Sequence, residues 1–170
     1  MKVQNEKNLS WKDWIRGTIT GLLFITEIMI SILFFNWLGL IWLNVLGWIL
    51  IGIAFFVLGW LPRVAFTKYG QAQENESWLH TTVVVDRGIY SVVRHPIYLG
   101  WYFYFFGFIC LSQHWLALAF AIPAFILVYL DTLKEERSSI NKFGHTYKDY
   151  MKRVPRLNIF LGIIRVIQTR

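Results

Sequence analysis

Charged residues are missing from most of this sequence. Glu27 is the one charged residue between Arg16 and Arg63. None at all lies between Arg94 and Asp131. The chain is 56% hydrophobic and 16% charged, whereas about 25% of residues are charged in a typical soluble domain. Because about 20 apolar residues cross the hydrocarbon core of a bilayer, each uncharged stretch predicts two crossings, and the composition predicts an integral membrane protein with about four transmembrane helices.

Cysteine is almost absent too, since Cys110 is the only one. A single thiol excludes an internal disulfide framework, a cysteine-based metal site and a dithiol redox motif, and no metal site is predicted. A cleaved signal peptide is not expected either. The first sixteen residues carry four basic side chains, and the apolar run after them is longer than the core of a signal peptide, so we expect it to be retained as the first span.

The chain has a formal net charge of +7, and its basic residues are not spread evenly. All 17 Lys and Arg fall within residues 1–16, 62–96 and 131–170, while the turns near Asn36 and at 112–114 carry none. This segregation predicts that both termini and the central connection are cytoplasmic. Basic residues beside anionic lipid headgroups explain the excess charge without nucleic acid, so the expected partner is the bilayer and not a nucleic acid.

The apolar pattern predicts one all-α domain over residues 1–170: a polytopic membrane helix bundle with a cytoplasmic C-terminal helical extension. Its four spans are expected at about residues 14–35, 37–61, 97–111 and 115–130. Residues 1–61 form the N-terminal helical hairpin, and its second helix is expected to stop at Pro62, because proline cannot supply the amide that continues a helix. Residues 62–96 then form a long cytoplasmic connection, which is typical of a functional or a disordered segment.

Residues 97–156 are expected to form the cofactor-binding hairpin and its extension. The fourth span continues as a polar helix that ends at Gly144, since glycine takes the backbone conformation that closes a helix. A short helix follows at about 146–152 and ends before Pro155. The apolar tail at 157–170 is too short to cross the membrane, so we expect it to lie on the membrane surface.

The segment 88–100 reads Gly-Ile-Tyr-Ser-Val-Val-Arg-His-Pro-Ile-Tyr-Leu-Gly and places polar side chains at the start of the third span. Pro96 suits the first turn of a helix. The free amides and positive dipole end of a helix start favour a carboxylate ligand, such as that of methionine or of a methyl donor. Taken alone, Arg94 also fits an interfacial anchor, His95 a helix cap and Tyr98 an aromatic belt.

A second cluster follows the fourth span. It begins with Glu135 and Glu136 and ends with Val-Pro-Arg at 154–156. Adjacent residues point about 100° apart on a helix, so at most one of these glutamates faces a given pocket, where it would bind ribose hydroxyls or balance a sulfonium charge. Alone, the pair also fits a solvated helix face. The short polar turn at 112–114 predicts an antiparallel hairpin, however, so both clusters should meet at one membrane face and form one pocket.

The ordered set Gly-Ile-Tyr, Arg-His-Pro-Ile-Tyr-Leu-Gly, Glu-Glu, Phe-Gly, Tyr and Val-Pro-Arg spans residues 88–156. It resembles the isoprenylcysteine carboxyl methyltransferase and phospholipid methyltransferase superfamily of integral-membrane enzymes. The resemblance implies methyl transfer from S-adenosylmethionine, with S-adenosylhomocysteine as product, to a lipophilic small-molecule or lipid acceptor. It also implies that the cofactor binds between the last helices at the cytoplasmic face.

The same resemblance implies roles for individual residues. Glu135 and Arg153 are the catalytic candidates. The implied cofactor-binding residues are Tyr90, Arg94, His95, Tyr98, Gly100, Glu135 and Glu136.

The acceptor is left open by one departure from the family pattern. The isoprenylcysteine enzymes typically carry an arginine about one turn before the paired glutamates, where it can hold an acceptor carboxylate, but residues 130–133 here read Leu-Asp-Thr-Leu. Lys134 or Arg153 is the candidate substitute, although lysine does not reproduce the two-pronged geometry of arginine. Carboxylate, amine, thiol and other lipophilic acceptors therefore remain alternatives, and so do O-, N- and S-methylation.

Two questions of function stay open at this level. Sterol-type membrane reductases that use NADPH resemble this superfamily in their last helices, and a non-catalytic membrane scaffold would keep the same fold. Glu27 lies near the middle of the first span, where an ionisable group is expensive and is a functional candidate by default. Its structural alternative is a protonated or hydrogen-bonded glutamate that faces Asn44 or a neighbouring helix.

Overall fold

A computed structural model describes residues 11–69 and 83–168 of the chain. Within these ranges the longer elements are all α-helices, which confirms the predicted all-α bundle. They are α1 (Trp11–Leu33), α2 (Ile41–Phe55), α3 (Leu61–Tyr69), α4 (Pro96–Ser112), α5 (Trp115–Phe143), α6 (His145–Arg153) and α7 (Ile159–Gln168). The polar part of the predicted connection, at 71–77, lies outside the described residues.

Three helical stretches are long and apolar enough to cross a membrane: Trp11–Leu33, Ile41–Tyr69 and Trp115–Phe143. Many of their apolar side chains are exposed on the protein surface, as expected for helices that face lipid. Helix α4 is also apolar but has 17 residues, and a helix of that length rises about 25 Å. Three of the four predicted crossings therefore meet the length requirement, and the crossing by α4 remains a prediction.

The predicted stop at Pro62 is wrong. Helix α2 continues through one π-helical turn at Phe56–Trp60 into α3, which ends only at Tyr69. The Leu61 amide donates to the Phe56 carbonyl oxygen five residues earlier. The hydrogen-bond register therefore changes just before Pro62, which occupies the second position of α3. A missing amide is tolerated in the first turn of a helical segment, so the chain stays helical.

Helix α4 packs against α2 and the π-helical turn through glycines. A side chain at Gly107 would approach a side-chain carbon of Ile51 to 2.7 Å, and one at Gly100 would approach Leu58 Cβ to 2.8 Å. Real Cβ atoms do not come this close, so both positions require the absence of a side chain. The predicted cofactor-binding residue Gly100 thus brings the first turns of α4 against the π-helical turn.

The other faces of α4 contact α1 and α5. The Phe24 ring of α1 packs edge-on against Trp101 of α4, with ring centroids 5.0 Å apart. The Tyr102 ring stacks on Phe125 of α5 at 5.1 Å. Since Tyr102 is near the start of α4 and Phe125 lies in the middle of α5, the two helices form the antiparallel hairpin that the short turn predicts.

Gln113 fixes the turn between α4 and α5. It is only 8% exposed, and its Nε2 atom lies within 3.1 Å of acceptors on Asn36, Leu40 and Asn44. The sequence places Gln113 at the membrane interface and does not predict this buried role. Asn44 is therefore bonded to Gln113 and not to Glu27, whose buried carboxylate oxygens have no hydrogen-bond partner in the described part of the chain.

The extension after the membrane follows the sequence prediction. Helix α5 runs unbroken to Phe143, and Gly144 takes a positive φ of 57° that few other residues adopt. Helix α6 ends at Arg153, just before Pro155. Helix α7 then turns back, and its Gly162 lies directly against the carbonyl of Val92. This returns the C-terminal segment to the residues that precede α4.

Candidate functional site

The backbone before α4 is held by the C-terminal segment. The Arg94 amide donates to the Pro155 carbonyl oxygen at 3.0 Å, and the His95 amide donates to the Arg156 carbonyl oxygen at 3.3 Å. The Tyr150 hydroxyl of α6 donates to the Tyr90 carbonyl oxygen at 2.7 Å. Two motifs separated by about sixty residues in the sequence are thus joined at the α4 start, as the hairpin argument predicts.

Glu136 lies at the centre of this junction and is 4% exposed. Arg156 donates to it twice, from Nε to Oε1 at 3.0 Å and from Nη2 to Oε2 at 2.6 Å. Arg94 Nη1 lies 3.0 Å from Oε1 as an ion pair, and His95 Nε2 lies 3.4 Å from the same oxygen. We call Arg94, His95, Glu136 and Arg156 the Glu136 cluster.

The Glu136 cluster carries a surplus of positive charge. Two guanidinium groups face one carboxylate, which leaves one net positive charge when His95 is neutral. The hydrogen bonds from Arg156 to Glu136 raise the pKa of Arg156 further above its ordinary value, so this guanidinium stays charged. Arg94 Nε is buried without a hydrogen-bond partner among the described residues, whereas His95 Nε2 faces Glu136 Oε1 at 3.4 Å. The cluster therefore has a guanidinium donor left for an anionic ligand.

Glu135 faces the other way and is exposed. Its carboxylate lies within hydrogen-bonding reach of the Tyr98 hydroxyl, and Asp131 lies close enough to the same hydroxyl to act on it electrostatically. We call Tyr98, Asp131 and Glu135 the acidic cluster. The rings of Tyr98 and His95 are 5.7 Å apart, so the two clusters are neighbours on either side of the α4 start.

Helix α1 contributes to the surroundings of the acidic cluster, which the sequence does not predict. Arg16 Nη1 lies 3.5 Å from Asp131 Oδ1, and Arg16 Nη2 donates to Asp13 Oδ1 at 2.8 Å. Lys134 pairs with Asp13 as well. Together with Glu135, these four ionisable groups make five: three carboxylates, one guanidinium and one ammonium. The net charge of this region is thus negative by one.

Three buried tyrosines, Tyr90, Tyr147 and Tyr150, lie beside the Glu136 cluster. Burial raises the pKa of Tyr147 to about 12, and it raises the pKa values of Tyr90 and Tyr150 as well. All three phenols are therefore neutral at physiological pH. Tyr90 is placed here by the predicted motif, but its carbonyl oxygen and not its hydroxyl makes the recorded bond to Tyr150.

Six of the predicted site residues lie in or beside the two clusters, while Gly100 packs against Leu58 and Arg153 lies elsewhere. The structure brings together Tyr90, Arg94, His95, Tyr98, Glu135 and Glu136. The Arg153 side chain is 63% exposed and pairs with Asp86 at 3.1 Å, away from Glu136. Its catalytic role stays a prediction, as do the roles of the others.

Sequence reasoning did not assign a role to Arg156 or to Tyr129. Arg156 Nη1 donates to the Tyr129 hydroxyl at 2.9 Å, and its guanidinium lies over the Tyr129 ring. The Val-Pro-Arg motif contains Arg156 and is the signal that pointed to it. Tyr129 lies seven residues before Glu136, and this spacing places both on one helix face.

Two cavities lie outside these clusters. One of about 440 Å³ opens against α3 beside Trp60 and Arg63, and one of about 340 Å³ lies between Tyr69 and residues 83–87. Neither is lined by a residue of the Glu136 cluster or the acidic cluster. The described residues also contain no group of three or more His, Cys, Asp or Glu side chains suited to a metal ion.

Known proteins are similar to this chain in sequence. The chain matches a family described as Protein of unknown function (DUF1295) over residues 8–154. It is 32% identical over 149 residues to methanethiol S-methyltransferase 2 of Bradyrhizobium diazoefficiens, which covers 78% of this chain and 56% of that protein. It is 28% identical over 171 residues to protein-S-isoprenylcysteine O-methyltransferase of Homo sapiens, which covers 96% of this chain and 60% of the relative. No solved structure matches the chain significantly.

The family match and the curated relatives cover different shares of the proteins compared. The chain spans little more than half the length of the curated relatives it matches, whereas the family match covers most of the chain itself. That match includes every residue of the two clusters except Arg156. The relatives also confirm the resemblance to the isoprenylcysteine methyltransferase superfamily, and the chain belongs to the DUF1295 family.

Proposed function

We propose that this chain is an integral-membrane methyltransferase that uses S-adenosylmethionine and acts on a lipophilic or membrane-embedded acceptor. Its curated relatives are named as methyltransferases, one for methanethiol and one for protein isoprenylcysteine, which supports the reaction class. The observation that carries the proposal is the Glu136 cluster, where a surplus positive charge lies at the start of α4 and the buried Arg94 Nε has no hydrogen-bond partner among the described residues.

This donor fits the carboxylate of the methyl donor. A buried polar group without a partner costs about 1–3 kcal/mol, so the unpaired Nε donor of Arg94 favours a ligand that satisfies it. A helix start adds free amides and a positive dipole end. The amino-acid part of S-adenosylmethionine supplies a carboxylate, and the surplus positive charge of the Glu136 cluster favours it there.

The acidic cluster fits the opposite charge. S-adenosylmethionine supplies a methyl group that is already activated on a positively charged sulfur. The protein therefore has chiefly to bind, orient and exclude water. Glu135 and Asp131 favour a cation by their charge, and Tyr98 separates them from the donors of His95. We assign Tyr90, Arg94, His95, Tyr98, Gly100, Glu135 and Glu136 to this site, with Gly100 and Glu136 acting through the backbone and side chains they position.

The acceptor is proposed to reach the site from the bilayer. Exposed apolar side chains cover α1, α2 and α5, so lipid surrounds the hairpin that carries the site. The segregation of basic residues supports an orientation in which both termini, the α4 start and residues 131–156 lie on the cytoplasmic side. The polar methyl donor would then enter from water and the acceptor from the membrane.

Ligand binding tests this proposal. The full chain, purified in detergent, is titrated with S-adenosylhomocysteine by calorimetry and separately with NADPH. We expect saturable binding of S-adenosylhomocysteine and none of NADPH. Binding of NADPH alone would favour the sterol-type reductase, and a folded, monodisperse protein that binds neither ligand would favour the scaffold.

A further inference from the structure

We propose that helix α7 docks its exposed apolar face on the bilayer surface and that this docking holds the Glu136 cluster together. The sequence predicts that residues 157–170 lie on the membrane, and the structure adds what the other face of α7 contacts. Such docking makes the membrane part of what assembles the site, which goes beyond the proposed function. Its first two tests need neither the methyl donor nor turnover.

Helix α7 turns its apolar side chains away from the rest of the protein. Its four most exposed apolar residues recur three and four positions apart, which places them on one helix face. They are Phe160, Ile163, Ile164 and Ile167. The opposite face carries Gly162, which is buried, and Arg165, which is half-buried. An exposed apolar face of this kind marks an interaction surface or a membrane-binding surface.

The surroundings of α7 favour the bilayer as the occupant of this face. Ile159 packs on a buried cluster that includes Val57, and Val57 lies in the stretch Ile41–Tyr69, which is long and apolar enough to cross the membrane. The end of α6 presents Lys152 and Arg153, both exposed and suited to anionic headgroups. A stable dimer interface uses about 20–30 residues on each partner, more than a ten-residue helix presents. A lipid surface therefore fits this amphipathic helix better than a second copy of the chain.

The inner face of α7 contacts both halves of the backbone junction at the α4 start. Gly162 lies directly against the Val92 carbonyl, where any side chain would collide with the backbone. Arg165 Nη1 donates to the carbonyl oxygens of Lys152 and Arg153, at 3.2 Å and 3.1 Å. Both carbonyls belong to the last turn of α6, where carbonyl oxygens lack partners within the helix. One face of α7 thus contacts two segments that are far apart in the sequence.

These contacts lie close in the chain to the hydrogen bonds that assemble the Glu136 cluster. Val92 comes two residues before Arg94, and Arg153 comes two residues before Pro155. The Arg94 amide donates to the Pro155 carbonyl oxygen at 3.0 Å, and the Arg94 side chain reaches the Glu136 carboxylate at 3.0 Å. When lipid holds the outer face of α7, its inner face keeps the two segments together. Loss of the lipid contact should therefore loosen the junction.

The first test measures where α7 lies. A spin label is attached to Ile164→Cys, on the exposed face, and as a control to Asp149→Cys, at an exposed acid of α6. Both proteins carry Cys110→Ala, which removes the single native thiol. In liposomes that contain anionic phospholipid, the label on α7 should respond more to oxygen than to a water-soluble nickel chelate, and the control should show the reverse.

Three results of this measurement would overturn lipid docking. The label on α7 could respond more to the chelate than to oxygen, which places it in water. It could respond to neither reagent, which places it under another part of the chain. Spin–spin broadening that disappears when unlabelled protein is added would assign the face to a second copy.

The second test asks whether docking holds the junction. Phe160→Ser with Ile164→Ser removes apolar area and leaves the inner face of α7 intact, while Phe160→Leu with Ile164→Leu is the matched control that stays apolar. In liposomes, the amides of Arg94 and His95 should exchange hydrogen at least tenfold faster in the serine variant and at the parent rate in the leucine variant. Exchange in the middle of α4 should be equal in all three proteins, which shows that the bundle is folded. Arg165→Gln should also accelerate the two amides, because it removes the bonds to α6.

Parent-like exchange in a serine variant whose α7 has left the lipid would overturn the link between docking and the Glu136 cluster. If the serine variant does not fold, parent-like exchange in Arg165→Gln would overturn it instead. A third measurement concerns the ligand: affinity for S-adenosylhomocysteine should fall at least tenfold in the serine variant and stay unchanged in the leucine variant. Equal affinities would overturn the effect of docking on the site. A parent that shows the expected docking and exchange but binds no S-adenosylhomocysteine would remove the proposed function and support this inference.

Discussion

Glu135 and Glu136 are adjacent in the sequence, yet their carboxylates lie in two regions with different charged neighbours. Glu136 is enclosed by two guanidinium groups and is 4% exposed. Glu135 is exposed and has the neutral Tyr98 hydroxyl and Asp131 on its side. The Glu136 cluster is therefore a buried ion network with a surplus of positive charge, and the acidic cluster is a more exposed group of side chains with a surplus of negative charge. The comparison indicates that one glutamate organises the site and that its neighbour is available for chemistry.

Removing each carboxylate should separate these two roles most clearly. Glu136→Gln leaves two guanidinium groups without their counter-charge, and loss of one partner from a buried pair destabilises by about 3 kcal/mol or more. Glu135→Gln should change the free energy of unfolding by about 0.5 kcal/mol or less, as is usual for exposed positions. Denaturant unfolding in detergent measures both. Equal destabilisation by the two variants would contradict the comparison.

The two arginines of the C-terminal segment offer the next contrast. Arg156→Lys cannot reproduce the paired hydrogen bonds to Glu136 and should destabilise by about 1–3 kcal/mol. Arg153→Lys alters an exposed pair with Asp86, for which about 0–1 kcal/mol is expected. The same unfolding assay compares them. A larger loss of stability for Arg153→Lys would contradict the assignment of Arg156 as the arginine that stabilises this segment.

Tyr98 lies between the two clusters and should have a smaller effect. Tyr98→Phe removes the hydroxyl beside Glu135 and keeps the ring beside His95. One hydrogen bond contributes about 0.5–1.5 kcal/mol, so S-adenosylhomocysteine affinity should fall by about tenfold or less, with no change in fold. Calorimetry measures the affinity. A loss as large as that of an arginine variant would place Tyr98 within the Glu136 cluster in function.

Burial of the tyrosines predicts a loss of stability at high pH that is absent at neutral pH. The pKa of Tyr147 is raised to about 12 by burial, while an unfolded tyrosine ionises near about 10. Because the unfolded chain releases its proton first, stability is fully present below pH 10 and falls as the pH rises towards 12. Unfolding midpoints from pH 7 to 11.5 should show this decline, and Tyr147→Phe should reduce it. A flat profile would contradict the burial of these phenols.

The sequence predicted the helices well where local signals act alone. Long uncharged stretches located α1, α2 and α5, and Gly144 and Pro155 located the ends of α5 and α6. The stop at Pro62 failed because the π-helical turn that accommodates the proline has no simple sequence signal. The 17-residue length of α4 likewise leaves its crossing unproven by length alone.

The site was predictable in composition but not in arrangement. The motifs named Arg94, His95 and the glutamate pair, yet helix geometry could show only that Glu135 and Glu136 diverge. Which of them is buried depends on Arg156, twenty residues later, and on its bonds to Glu136. The contact between Arg16 and Asp131 joins residues far apart in sequence, so no local pattern could have revealed it.

The central claim is that the Glu136 cluster binds the carboxylate of S-adenosylmethionine. Calorimetry with S-adenosylhomocysteine on the parent, on Arg94→Gln and on Arg87→Gln tests it most directly, since Arg87 is an exposed arginine of the same segment and lies outside the cluster. Arg94→Gln should weaken binding at least tenfold, which is about 1.4 kcal/mol, while Arg87→Gln should bind like the parent. A folded Arg94→Gln variant that binds S-adenosylhomocysteine as tightly as the parent would contradict the claim.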